Sequence, residues 1–232
     1  MENIQVNIAE IKEEINQICQ SYGRNAEDIT LIAVTKTVDT DKINYAVGCG
    51  IANLGENKVQ EIMDKYDAVD RNVKWHLIGH LQTNKVKYII DKVELIHSVD
   101  SIKLAEEINK RAEKNNLIKD VLVQINVAEE DTKFGIDLEQ AVDFVKSISE
   151  FENIRVKGLM TIAPYDLDPE GVRPVFRQLK KKFDELAQMN LPNTDLKHLS
   201  MGMSNDYKVA IEEGSNMIRI GTAIFGKRNY NK

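Results

Sequence analysis

Lys36 is the residue of this sequence best placed for covalent chemistry. It follows directly on an apolar run, Leu31-Ile32-Ala33-Val34, that reads as a buried strand. A lysine at such a strand end is partly desolvated, and burial or a nearby cation lowers an amine's pKa and exposes its lone pair. A neutral amine attacks an aldehyde and forms a Schiff base. The plainer meaning of the same position is a solvated strand end. Two further segments suit an anion. Ser200-Met201-Gly202-Met203-Ser204 precedes a helix expected from Asp206. Backbone N–H groups at a helix start attract negative charge, a glycine allows close approach, and serine hydroxyls add donors. Arg219-Ile220-Gly221-Thr222 is a second turn of this kind. Ordinary loops use the same residue types. Arg219 is expected to face inward, where a guanidinium needs acceptors. A phosphate, a carboxylate or a pyridine nitrogen would serve, as would a structural pair with Glu212 or Glu213.

Weaker candidates surround these. His80 could be an acid–base group or a structural histidine. Glu56 could pair with Lys36 or cap the following helix, and Asn57 could touch a ligand edge or form a turn. Met160, Met201 and Met203 could flank a flat ring or fill the core. Lys133, in Asp131-Thr132-Lys133-Phe134-Gly135, could be a second amine near the site or a solvated loop lysine. Lys180-Lys181-Lys182 is expected to be a solvated helix face.

Positioning these groups is the work of alternating elements. Ile4, Ile8, Ile11, Ile15 and Ile18 recur at helical spacing, so an amphipathic helix is expected over 4–22, stopped by Gly23. Strands are expected at 31–34, 51–55, 74–78, 93–98, 120–127, 156–162, 196–200 and 217–220, with a helix in every gap. Short apolar strands alternating with helices imply a parallel sheet covered by helices. Eight such units fit a single α/β TIM barrel over 1–232, with an additional N-terminal helix. An open doubly wound sheet is the competing arrangement. Little chain follows the eighth strand, so helix 4–22 is expected to cover the flank of the first and last strands. In a barrel the candidate residues all fall at strand C-termini, the end where such folds place their sites. The phosphate subsite of many barrels lies between the loops after strands seven and eight, where both Gly-bearing segments stand.

The 232 residues are 42% hydrophobic and 29% charged, ordinary values for a globular protein. A formal charge of −6 argues against a dedicated nucleic-acid binder. Cys19 and Cys49 form no CxxC pair or disulfide framework, and the four histidines show no metal-ligand spacing, so no metal is expected. The N-terminus lacks the pattern of a signal peptide, and no apolar run spans a bilayer. A cytoplasmic location is expected.

Taken together, several segments resemble the YggS/PROSC family of pyridoxal-phosphate homeostasis proteins. These are Ala33-Val34-Thr35-Lys36, Gly55-Glu56-Asn57-Lys58-Val59-Gln60-Glu61, 76–85 from His76 to Lys85, Gly158-Leu159-Met160-Thr161, Ser200-Met201-Gly202-Met203-Ser204, and Arg219 through Gly226. The resemblance runs from about residue 4 to 226. It implies a single TIM barrel similar to the N-terminal domain of bacterial alanine racemase. It also implies that Lys36 holds pyridoxal 5′-phosphate (PLP) as an aldimine. Ser200, Ser204, Gly221 and Thr222 match phosphate-binding positions, Arg219 matches the arginine facing the pyridine nitrogen, and Asn57 matches a cofactor-proximal position. A permanently protonated arginine donates to that nitrogen and keeps it unprotonated, which weakens the ring as an electron sink.

Alanine racemase adds a second, β-rich domain that supplies a catalytic tyrosine from its partner subunit, and 232 residues are expected to leave no room for it. Tyr165, Tyr207 and Tyr230 lie near expected loops, with nothing to set any of them opposite Lys36. The resemblance therefore implies a carrier that buffers or delivers PLP, without robust catalysis, acting as a monomer and passing PLP to apo-enzymes. The alternatives are a weak PLP-dependent amino-acid racemase and, more remotely, a sugar-phosphate aldolase. A Schiff-base lysine on the first strand disfavours the aldolase.

Overall fold

The computed structural model describes residues 1–128, 130 and 133–226. Eight parallel strands close on themselves: β1 (Thr30–Val34), β2 (Asn53–Glu56), β3 (Lys74–Leu77), β4 (Leu95–Val99), β5 (Lys119–Asn126), β6 (Ile154–Met160), β7 (Thr194–Met203) and β8 (Met217–Ile220). Sequential neighbours pair in order, and β8 returns to β1 with Ile32 opposite Arg219 and Ala33 opposite Ile220. This is the TIM barrel expected from the alternation, and it excludes the open sheet. One short strand was not expected: Ile136–Asp137 pairs with the end of β5.

Two apolar layers hold the barrel. Ile32, Leu95, Leu122, Met160 and Met217 form a small cluster inside it. The outward residues of the strands, such as Ala33, Leu54, Ile218 and Ile220, join the larger layer beneath the helices. Period-two alternation sorts the two sets. The same alternation turns Val34 inward after Ile32, and Arg219 inward after Met217.

The helices are α1 (Glu2–Ser21), α2 (Thr40–Gly48), α3 (Val59–Lys65), α4 (Val86–Ile89), α5 (Ile102–Lys114), α6 (Ala141–Ser149), α7 (Arg173–Ala187), α8 (Tyr207–Glu212) and α9 (Thr222–Phe225). Helix α1 buries Ile4, Ile8, Ile11, Ile15 and Cys19, the face expected from its spacing. It covers the β1–β8 flank, but mainly through α2, α8 and α9 rather than by lying on the strands. Both α8 and α9 are short, so α1 completes the layer above them, tied by Asn7 Nδ2 donating to the Ile224 carbonyl at 2.9 Å. The covering element between β6 and β7 begins as a 3-10 turn, Pro169–Val172, and becomes α-helical only at Arg173. Among the described residues no helix is long and apolar enough to cross a membrane.

Candidate functional site

At the strand C-termini a cavity of about 480 Å3 is bordered by Val34 and Lys36 from the end of β1, Met203, Ser204 and Asn205 after β7, Arg219, Gly221 and Thr222 from the end of β8, and Tyr165. Five of the residues expected from sequence meet here: Lys36, Ser204, Arg219, Gly221 and Thr222.

Lys36 sits in a tight turn that leaves β1. The next residue, Thr37, has φ +62°, a left-handed conformation that a β-branched side chain seldom adopts. A polar clamp beneath the turn holds it. The Thr37 backbone N–H donates to Glu61 Oε2 at 2.8 Å. Lys65 Nζ donates to Glu61 Oε2 at 2.9 Å, to Glu56 Oε1 at 2.8 Å and to the Thr35 carbonyl at 2.9 Å. The Thr35 hydroxyl donates to the same Glu56 oxygen at 2.7 Å. Glu56 is fully buried, and among the described residues its Oε2 has no hydrogen-bond partner. Burial raises its pKa, against the pull of Lys65 and Thr35. Burial also pushes Glu61 up, but Thr37 and Lys65 outweigh it and hold that carboxyl below its usual range. Both sequence readings of Glu56 are therefore replaced: its partner is Lys65, not Lys36, and it caps no helix.

Arg219 is 3% exposed. Its Nη1 donates to Ser200 Oγ at 2.5 Å and its Nη2 to the Thr161 carbonyl at 2.7 Å. The alternative of a structural pair with Glu212 or Glu213 does not form, because those carboxylates bind Arg173. Among the described residues Arg219 makes no salt bridge at all. Desolvation lowers its pKa to about 10, opposed by Asp206, so it stays cationic at neutral pH. A buried cation with a cavity beside it and no paired carboxylate is suited to an electron-rich ligand.

Ser204 Oγ accepts the Ala223 N–H at 3.3 Å, which ties the loop after β7 to the first turn after β8. Gly202 lets β7 pass close to α8: it has φ +97°, and a Cβ there would lie 2.6 Å from Ala210 Cβ. Ser200 does not border the cavity. It is fully buried beneath, between Arg219 and His97. Asn57 stands in the loop after β2 and also falls outside the lining residues. Its backbone presses on Gly79, where a Cβ would come within 2.4 Å of the Asn57 carbonyl oxygen.

The remaining candidates are dispersed. Met203 borders the cavity, whereas Met160 fills the barrel interior and Met201 the outer layer. His80 stacks on Phe134, centroids 3.8 Å apart, with Nδ1 3.4 Å from Asp100 Oδ2. Lys133 lies elsewhere, in a separate cavity with Glu130 and Asp137, and pairs with Glu130 at 2.7 Å. Tyr165 is 81% exposed at the cavity rim, Tyr207 is buried with its hydroxyl on Glu14, and Tyr230 lies outside the described residues. Sequence patterning does not point to His76 and His97, which stand inside the barrel behind Ser200. The available signal is a histidine within a wholly buried strand, Leu95–Val99.

The family "Alanine racemase, N-terminal domain" matches residues 6–229. The chain is 47% identical to the pyridoxal phosphate homeostasis protein of Aquifex aeolicus, over 96% of this chain and 97% of that one. It is 38% identical to the protein of the same name from Haemophilus influenzae, over 98% and 97% of the two chains. The solved structure of PipY from Synechococcus elongatus with PLP bound superposes with TM-score 0.83 at 31% identity, covering 96% of this chain and 100% of that one. With the alanine racemase N-terminal fold matched along nearly its whole length and such relatives at full coverage, this chain belongs to the family of pyridoxal phosphate homeostasis proteins.

Proposed function

We propose that this chain holds PLP through Lys36 and serves PLP homeostasis by buffering and delivering the cofactor. The observation that carries the reading is the single cavity that collects Lys36, Ser204, Arg219, Gly221 and Thr222 from both sides of the β1–β8 seam. These residues fit the group: one primary amine, one buried cation, and hydroxyls beside a glycine turn.

When bound, PLP supplies an aldehyde that condenses with a primary amine. Among the described residues Lys36 is the one lysine bordering the cavity, so the attachment falls to it. The clamp on Thr35 and Thr37 fixes the backbone on either side of that amine. Arg219 has only donors, so a ring nitrogen set against it must accept, and the ring is held unprotonated there. Ser204 and Thr222 offer hydroxyls, and the turn at Gly221 offers backbone N–H groups, to the phosphate. Asn57 is assigned a cofactor-proximal role from the next loop. Ser200 contributes by holding Arg219. The exposed rim at Tyr165 leaves a route for exchange, as buffering and delivery require. In this reading the chain acts in the cytoplasm as a monomer, and apo-enzymes that use PLP receive the cofactor.

The test is visible absorption of the purified chain with added PLP, then borohydride reduction and peptide mapping. The expected result is an absorption band with the adduct on Lys36, both abolished in Lys36→Ala. An adduct scattered over surface lysines would sink the assignment. Delivery is read by mixing the loaded chain with an apo-enzyme that uses PLP and following recovered activity.

A second reading, weak amino-acid racemisation, is favoured by one observation: Tyr165 borders the same cavity as Lys36. Two-base proton transfer needs such a second group. Exchange of the Cα proton of free amino acids in deuterium oxide, lost in Tyr165→Phe, would support it; no exchange rejects it.

A further inference from the structure

A continuous line of polar side chains runs from the cofactor cavity through the barrel to its opposite opening. Arg219 Nη1 donates to Ser200 Oγ at 2.5 Å. Ser200 Oγ is 3.0 Å from His97 Nδ1, His97 Nε2 is 3.0 Å from His76 Nδ1, and His76 Nε2 is 3.1 Å from Asn53 Oδ1. Ser200 and His97 are fully buried and His76 is 2% exposed. At the far end Asn53 and His76 border a cavity of about 280 Å3 with Thr30, Lys74, Glu94 and His198, residues at or near the starts of the strands.

The hydrogens of this line have two possible arrangements. In one, the Ser200 hydroxyl donates to His97 Nδ1, His97 Nε2–H donates to His76 Nδ1, and His76 Nε2–H donates to Asn53 Oδ1. All four ring nitrogens and the Ser200 hydroxyl are then used. In the other, His97 Nδ1–H donates to Ser200, and His76 Nδ1–H donates to His97. The Ser200 hydrogen then has no acceptor among its contacts, and His76 Nε2 is served only if the Asn53 amide turns its nitrogen toward the ring. Buried polar groups are almost always satisfied, so the first arrangement holds. Its origin is Arg219, which can only donate. Burial favours neutral rings at both positions, as this arrangement requires.

We propose that His97 and His76 are positioning residues for the PLP cavity: through Ser200 they form a one-directional chain, Arg219 to Ser200 to His97 to His76 to Asn53, that fixes the plane of the Arg219 guanidinium. Both rings carry their hydrogen on Nε2. The Ser200 hydrogen is committed to His97 and is withheld from the ligand. The proposal rests on the reading that this cavity holds PLP.

The experiment has two arms. Long-range 15N–1H spectra of the chain without PLP report the tautomers, and the expected pattern is hydrogen on Nε2 for both His76 and His97. This arm needs no substitution, so it stands where a variant fails to fold. The second arm titrates PLP into His97→Leu and His97→Asn, read by absorbance. Asparagine retains an oxygen where Nδ1 stood and can still accept from Ser200. PLP affinity is expected to fall about tenfold in His97→Leu, the scale of one hydrogen bond serving a charged group, and to recover in His97→Asn. Hydrogen on Nδ1 in either ring, or equal affinity in wild type and both variants, overturns the proposal. If the wild-type chain fails to take up PLP at Lys36 while both rings carry hydrogen on Nε2, the chain's direction stands. It is then the cofactor reading that has failed, and with it the positioning role.

Discussion

Lys65 reaches under the Lys36 turn and donates to the buried Glu56 carboxylate at 2.8 Å. Glu56 has no exposed surface, and the Lys65 side chain is 11% exposed, so the pair is nearly withdrawn from water. Removing one member of such a pair strands the other. Lys65→Met is expected to cost about 3 kcal/mol or more, the range for breaking a buried ion pair. The double variant Lys65→Met, Glu56→Gln should recover part of the loss. Urea denaturation of the three proteins measures it, and a loss under about 1 kcal/mol in the single variant would show the clamp to be superficial.

The strained turn beside it gives a gain. Thr37 holds φ +62°, a region where asparagine is several-fold enriched and β-branched residues are outliers. Its contact with Glu61 is made by the backbone N–H, which any residue but proline retains. Thr37→Asn should therefore stabilise the chain by about 1 kcal/mol, the lower end of the strain at such positions, without weakening PLP binding. Lower stability in the same denaturation assay would mean that the threonine side chain makes a contact worth more than the strain.

Acid should weaken the fold through its inner histidines. Burial lowers the His76 pKa to about 3 and holds His97 well below its ordinary value of 6.5. Both are thus neutral when folded. As pH falls below about 6.5, the unfolded chain binds protons that the folded chain refuses, so stability drops by about 1.4 kcal/mol per pH unit for each ring. Stability is complete above the unfolded value and is lost toward the folded ones. Glu56 and Asp206, raised mainly by burial, act in the opposite sense just above their ordinary range. The comparison between wild type and His97→Asn removes those contributions. Between pH 6 and 5 the variant's stability should fall less steeply, by about 1.4 kcal/mol per unit. Parallel curves would mean that His97 titrates normally.

Lys133 is expected to be neutral for cofactor release. It pairs with Glu130 in a cavity that, among the described residues, shares no lining residue with that of Lys36. Lys133→Ala should leave the PLP dissociation rate within a factor of about two, since removal of such a partly exposed ion pair changes little. A several-fold change in stopped-flow release would restore it as a second amine.

The barrel was legible because each strand is a short apolar run and each gap is amphipathic. Lys36, Arg219 and Gly221 were legible as neighbours around one cavity because they stand at strand ends, and because Ile32 and Val34, then Met217 and Arg219, alternate inward. What stayed hidden depends on long-range pairing. Nothing local joins Glu56 on β2 to Lys65 at the end of α3, or Ser200 to His97 across the barrel interior. Ser200, at the end of its expected strand, reads as a partner of Ser204, yet the three residues between them separate a buried link from a cavity wall. The bulge between Ser200 and Met203, where β7 loses register with β8, carries the chain from one setting to the other.

The seam between β1 and β8 has a consequence for biosynthesis. Lys36 leaves the ribosome early, but its neighbours across the seam, Arg219 through Thr222, are among the last described residues to be made. While the chain is still being translated, its amine can meet an aldehyde but lacks the groups that would retain the cofactor. If Lys36 holds PLP as proposed, selective loading awaits closure of the ring, and a chain cut short before β8 would carry that lysine without the cavity's selectivity.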